Sequence, residues 1–198
     1  MDKNVNINEM ITDERRIKIQ DLVAKRQNMT VILENVHDPH NIGAVMRSCD
    51  DVGISEIFIL YTDACYNHLH QKIGRNSSSG SQKWVDVHYF GDLDECFEVV
   101  RSRYDLVLGT HLGEDSKSLY DLDLTKSVAF MFGNEKSGIT KEALQRLDGN
   151  YLIPQYGMVQ SLNISVACAV SLFEASRQRA IRGMYQPEFD GNNPAHES

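Results

Sequence analysis

No stretch of the chain approaches the ~20 consecutive apolar residues that span a bilayer. The opening residues Met-Asp-Lys-Asn-Val-Asn hold no apolar region of a secretion signal. The cytoplasm is the expected location and a membrane is not an expected partner. Cysteine is scarce and poorly spaced. Cys49, Cys65, Cys96 and Cys168 lie 16, 31 and 72 residues apart with no Cys-x-x-Cys pair, which fits reduced, mostly buried thiols rather than a disulfide frame or a zinc site. The pairs His37/His40 and His68/His70 lack a carboxylate or thiol at ligand spacing, so no metal is expected. Internal repeats are absent.

Positive charge is also in short supply. Twenty Lys and Arg face 28 Asp and Glu, a net charge of −8, which on its own argues against a nucleic-acid partner. The distribution softens that objection. Residues 86–123 hold ten acids against Arg101, Arg103 and Lys117, a local balance of −7, and the tail from 186 adds Glu188, Asp190 and Glu197. Basic residues gather elsewhere: Arg15, Arg16, Lys18, Lys25 and Arg26; Lys72, Arg75 and Lys83; and Arg177, Arg179 and Arg182. An acidic face with separate basic patches is compatible with RNA binding and equally with an ordinary solvated surface.

What is present is the material of one α/β domain: 198 residues, 41% of them hydrophobic, enough for a single well-filled core. Thr12 followed by Asp13 and Glu14 reads as a helix start, and Ile17, Leu22 and Val23 give that helix only a thin apolar stripe. It reads as a basic arm over residues 1–29, ahead of a domain at 30–179 and an acidic tail at 180–198. Buried strands are expected at Thr30–Glu34, Ser55–Tyr61, Trp84–His88, Asp105–Gly109 and Ser127–Phe132, with a short one ending at Ile153 before Pro154. Helices are expected at about 41–52 with Gly53 as the stop, at 92–102, from Thr140 to about Leu147, and from 161 to about 179. Residues 62–84 read as a polar, basic piece. Strands alternating with helices imply a mostly parallel sheet with helices on both faces.

Polar residues of an unusual kind sit at the strand ends. In His37-Asp-Pro-His-Asn-Ile-Gly-Ala-Val-Met-Arg47, Asn41 is placed to cap the following helix, and Arg47 falls among Ile42, Ala44 and Val45. There it is either a solvated cation or an anion binder, because it does not lose its charge. Gly133-Asn-Glu-Lys-Ser-Gly138 lacks the Gly-x-x-x-x-Gly-Lys-[Ser/Thr] order of a phosphate loop, and Glu135 is either an acid/base or a structural acceptor. The loop from Pro154 through Gly157 to Ser161 and Asn163 either caps a helix or binds a ligand through its backbone. Thr110-His-Leu112 adds a fourth strand end.

Taken together, Asn41 with Arg47, Gly133-Asn-Glu135, and Ile153-Pro-x-x-Gly157 with Ser161-Leu-Asn163 resemble the three motifs of the SpoU-type RNA 2′-O-ribose methyltransferases of the SPOUT class, in order, from about residue 30 to 179. Finer details resemble the branch that methylates guanosine 18 of tRNA: Arg26-Gln27, His37-x-Pro-His-Asn41, Ser78-x-x-Ser81 before Trp84, Thr110-His-Leu112, Gly157-Met-Val-Gln-Ser-Leu-Asn163 and Arg177-Gln-Arg179. The resemblance implies a deep C-terminal trefoil knot and a homodimer bringing the small-residue helix (Ala167, Ala169, Ser171, Ala175) near its mate. It implies S-adenosyl-L-methionine as cofactor, lined by Thr110, Leu112, Gly133, Ile153, Met158 and Leu162. It assigns the catalytic site to Arg47, Asn41, Glu135, Ser161 and Asn163. RNA contacts would fall to Arg15, Arg16, Lys25, Arg26, Lys72, Arg75 and Arg177.

A ribose 2′-hydroxyl needs its proton removed as it attacks a methyl group. The resemblance gives that role to Arg47, which acts either as the base or as a holder of the RNA phosphate; an arginine pKa above ~12 makes the first awkward. The acidic tail after Arg182 departs from the closest branch. Alternatives are the same reaction on ribosomal RNA or at the tRNA wobble ribose, and a non-catalytic RNA- or cofactor-binding module on the same fold.

Overall fold

The computed structural model describes residues 12–63, 84–158 and 161–185. The basic piece with Cys65, His68, His70, Lys72, Arg75, Ser78, Ser81 and Lys83 lies outside them, as do the end of the acidic tail and the side chain of Arg15. Among the described residues seven strands form one sheet: β1 Met29–Glu34, β2 Glu56–Leu60, β3 Asp86–Phe90, β4 Leu106–Thr110, β5 Lys117–Ser118, β6 Val128–Phe132 and β7 Gly149–Leu152. Their spatial order is β3-β2-β1-β6-β4-β7-β5, and every neighbouring pair is parallel. The helices are α1 Asp13–Ala24, α2 Pro39–Asp51, α3 Leu93–Arg101, α4 Lys141–Leu144 and α5 Ile164–Ile181.

A parallel sheet needs both faces covered, so its strands are continuous apolar runs rather than alternating ones. All six residues of β1 and all five of β6 are buried. Their side chains part to two cores. Val31, Leu33, Ile57, Ile59 and Phe130 join α2 and α5 through Ile42, Val45, Cys49, Cys168 and Leu172. Ile32, Phe58, Leu60 and Met131 join α3 and α4 through Cys96, Phe97, Val100 and Ala143. Cys49, Cys96 and Cys168 are free and buried.

Several elements differ from the expected ones. Helix α2 begins two residues early because Pro39 fits the first helical turn, where no amide partner is needed. Asp38 is the cap, accepting from His40 N, and Asn41 is not. Gly53 does stop this helix with a φ of 81°, and a Cβ there would lie 2.6 Å from the Lys25 carbonyl. Strand β7 starts at Gly149, where its pairing with β4 outweighs poor strand propensity. Strand β5 and the 3₁₀ turn Leu119–Asp121 are too short and polar to leave a periodic signal. The apolar residues Ile17, Leu22 and Val23 of α1 are exposed.

Arg179 is a buried cation, 1% exposed. It donates to the carbonyls of Leu124 (3.0 Å), Lys126 (2.6 Å) and Asn28 (3.2 Å) and to the side-chain oxygen of Gln27 (3.4 Å). Burial pulls its pKa below the usual guanidinium value. It ties the end of α5 to the start of β1 and to the chain ahead of β6. Truncation to Ala takes the donor from the Leu124 and Lys126 carbonyls, while Asn28 O still accepts from Val128 N at 3.3 Å; a buried acceptor left unanswered costs roughly 1–3 kcal/mol. Arg179→Ala is therefore expected to lose about 3 kcal/mol or more in urea unfolding, and a midpoint matching the wild type would show that these bonds contribute nothing net.

Candidate functional site

With both faces covered, the carboxyl ends of the strands are where loops open a crevice in a parallel sheet. A cavity of about 380 Å³ lies there, lined by residues at the ends of β4, β6 and β7 and at the start of α5, and its size suits a small-molecule ligand. Five of the six residues expected around the cofactor line it: Thr110, Leu112, Gly133, Ile153 and Leu162. Met158 is not among the lining residues and is fully exposed. Glu135 and Ser161 also line the cavity.

The spacing Gly133-Asn-Glu-Lys-Ser-Gly138 has a steric origin. Asn134 and Gly138 exchange both backbone hydrogen bonds, at 3.0 and 2.8 Å, closing the loop onto itself. A Cβ on Gly133 would sit 2.1 Å from the Gly138 carbonyl carbon and 2.2 Å from the Ile139 nitrogen. Only glycine allows that approach. The closed loop presents Glu135 to two other elements. Asn41 Nδ2 donates to its Oε1 at 2.5 Å, and Asn163 Nδ2 reaches Asn41 Oδ1 at 3.2 Å and Glu135 Oε1 at 3.5 Å. Asn163 also serves as the N-cap of α5, its Oδ1 accepting from Ser165 N at 2.9 Å. Asn41, released from capping, thus joins Glu135 and Asn163 in one polar cluster.

Arg47 lies apart from that cluster. It follows Asn41 by six residues, about 9 Å along a helix, and is exposed, as are His40 and Ala44 on the same helix. It does not share the buried side of Ile42 and Val45, and it does not line the cavity. Among the described residues it makes no hydrogen bond or ion pair.

The basic patches are unevenly available. Arg16 and Arg26 are exposed, and Lys25 is in an ion pair with Asp21 at 2.6 Å. Arg177 forks onto Glu174 with two contacts of 2.8 Å, holding that carboxyl below the usual range. Lys72, Arg75 and the side chain of Arg15 fall outside the described residues. His111, Lys136 and Gln155, to which the sequence reading gives no role, also line the cavity; the signal that could find them is adjacency to motif residues. Among the described residues no group of three or more His, Cys, Asp or Glu is arranged to hold a metal, and no helix is long and apolar enough to cross a membrane.

A wholly parallel sheet, a cavity at its carboxyl ends and an Asn–Glu–Asn cluster beside it define an α/β protein with a candidate small-molecule site at its strand ends. Residues 28–173 match the SpoU rRNA Methylase family, and the chain belongs to that family. It is 43% identical over 181 residues to the tRNA (guanosine(18)-2'-O)-methyltransferase of Thermus thermophilus, a match covering 90% of this chain and 91% of that protein. The structure superposes on the A. aeolicus TrmH/SpoU tRNA modifying enzyme with a TM-score of 0.76 at 34% identity, covering 87% and 86% of the two chains. It also superposes on the AdoMet bound rRNA methyltransferase from Sinorhizobium meliloti, with a TM-score of 0.66 at 27% identity over 80% of this chain and 59% of that one.

Gly133→Ala places a methyl group against the Gly138–Ile139 peptide. It is expected to destabilise the protein by about 1–3 kcal/mol, as overpacking does, and to speed amide exchange across 133–139. Unchanged melting and exchange would show that the loop relaxes freely.

Proposed function

We propose that the protein transfers a methyl group from S-adenosyl-L-methionine to the ribose 2′-hydroxyl of guanosine 18 in the tRNA D-loop. The observation that carries this is the match over nine-tenths of both chains to a curated enzyme of that activity, joined to a cavity whose lining suits the cofactor. Leu112, Ile153, Leu162 and Ala167 give it apolar walls, Gly133 and Gly138 bare backbone, and Glu135 a carboxylate able to face a cation. The cofactor supplies an electrophilic methyl group on a sulfonium.

The chain's own part is to bind, align and handle the proton. Thr110, Gly133 and Ser161 would hold the cofactor at the cavity, while Asn41, Glu135 and Asn163 would shape the adjoining ribose site. Aligning the hydroxyl with the methyl carbon supplies much of the acceleration. Arg47, exposed and unpaired among the described residues, would grip an RNA phosphate and ease loss of the hydroxyl proton. Arg16 and Arg26 would add contacts to the RNA backbone.

The same reading includes a homodimer and a knot. On α5, Val166 is 47% and Phe173 51% exposed, apolar surface that a second copy would cover, and Arg47 lies outside its own chain's cavity. The small residues of α5 are less available to a mate: Ser171 and Ala175 are buried in the chain, and Ser171 accepts from Tyr151 Oη at 2.9 Å. For the knot, β7 lies between β4 and β5, so the 111–116 link crosses its carboxyl end, where His111 N donates to Tyr151 O at 3.0 Å. The chain leaving β7 would thread beneath that link on its way to α5.

The test is transfer of labelled methyl from S-adenosyl-L-methionine to tRNA transcripts, with the modified position mapped. A 2′-O-methylguanosine at position 18 is expected; label only in ribosomal RNA would overturn the substrate, and none in either RNA would overturn the enzyme. Arg47→Ala is expected to keep cofactor affinity and lose about 10²-fold or more in turnover; near-normal turnover would remove Arg47 from the mechanism. Binding of tRNA is expected to weaken steeply as salt rises, as phosphate contacts require.

A further inference from the structure

Strand β1 ends on a residue that serves neither core. Glu34 is fully buried, a place where a carboxylate is unfavourable unless its oxygens are hydrogen-bonded and where an apolar side chain would pack as well. Burial pushes its pKa up, while the Thr140 and Thr62 donors pull it back. Oε2 accepts from Thr140 N at 2.8 Å, and Oε1 from the Thr140 hydroxyl at 2.6 Å and the Thr62 hydroxyl at 3.5 Å. Thr140 is the N-cap of α4 and the first residue beyond the 133–139 loop.

Asn35 holds the other end of that loop. Among the described residues it alone, other than glycines, has a positive φ, 55°. Its Oδ1 accepts from Thr62 N at 3.0 Å and Asp63 N at 3.2 Å, and its Nδ2 donates to Thr62 Oγ1 at 2.8 Å. Its main-chain carbonyl accepts from Asn134 Nδ2 at 2.8 Å. Asn134 in turn accepts from Lys136 N at 2.9 Å and Ser137 N at 3.3 Å. Glu135 lies between the two fastened points.

We propose that Glu34 and Asn35 are positioning residues: acting through Thr140 and Asn134, they hold both ends of the loop so that the Glu135 carboxylate stays on Asn41 and beside the cavity. The inference rests on the reading of Glu135 as part of the methyl-transfer site. Nothing in it requires Glu34 to touch substrate or cofactor. A purely structural role would alter folding alone, whereas a positioning role alters the chemical step in molecules that are fully folded.

The experiment compares full-length wild type with Glu34→Ala, Glu34→Gln and Asn134→Ala, at saturating S-adenosyl-L-methionine and well below each variant's Tm. Glu34→Ala is expected to lower kcat by roughly 10²-fold, as a misplacement near 1 Å does. The KM for tRNA should stay within about twofold, the signature of a loss confined to the transition state, and the Thr140 amide should exchange faster. Glutamine keeps an oxygen for the Thr140 amide and offers an N–H to the Thr140 hydroxyl, so Glu34→Gln should restore most of kcat. Wild-type kcat in Glu34→Ala, or no recovery with Gln, would overturn the proposal. If Glu34→Ala does not fold, Asn134→Ala decides: it severs the Asn35 tie and is expected to show the same kcat loss, and a wild-type kcat there would overturn it. Should the wild type itself transfer no methyl, the functional reading fails separately, and faster Thr140 exchange in Glu34→Ala than in wild type or Glu34→Gln still distinguishes a fastened loop from a free one.

Discussion

A parallel sheet buried on both faces leaves few places for polar chemistry, and this constraint organises the rest of the molecule. Helices α2 and α5 cover one side and α3 and α4 the other, so no catalytic group has room on a face. Only at the strand ends does the chain turn, exposing backbone and polar side chains without opening a core. The Gly133–Gly138 loop, the segment after β4 and the loop into α5 meet there around one cavity. Precision then comes from the strands, which fix the starting point of each loop far better than the loops fix themselves.

The polar cluster shows how little of a site need be built on one element. Asn41 belongs to α2, Glu135 to the loop after β6 and Asn163 to the cap of α5, yet the three are joined by contacts of 2.5 to 3.5 Å. Asn163 uses its oxygen to cap the helix and its nitrogen to reach the cluster. The same side chain therefore sets where α5 begins and what the site looks like. Such double use joins the start of α5 to the polar cluster at one residue, so a substitution there is read in both.

Much of this is legible in the amino-acid order, and the failures have physical causes. The apolar runs of β1 and β6 are long enough for strand assignment, and Gly53 ends α2 as its place in the pattern implies. The pattern points to Asn41 as the cap of α2, but Asp38 is the better one once Pro39 is accepted as the first helical residue. That one shift frees Asn41 for Glu135. Proximity in sequence groups Arg47 with Ile42 and Val45, but helical rotation turns it outward. Lys117 and Ser118 form a strand only because β7 offers an edge to pair with, information that no local window contains. The Glu34 clamp is invisible for a similar reason, since Thr140 is 106 residues away.

The buried guanidinium of Arg179 has a consequence for how the sequence can drift. Among the described residues it meets no carboxylate, and three of its four acceptors there are main-chain carbonyls, at positions 28, 124 and 126. A carbonyl persists whatever side chain its residue carries. Neutral substitution at those three positions therefore leaves the tie intact, whereas an ion pair in the same place would have required two residues to change together. This tie is indifferent to the side chains of its main-chain partners, while the core packing of Cys168 and Leu172 and the Tyr151–Ser171 hydrogen bond hold α5 independently of it.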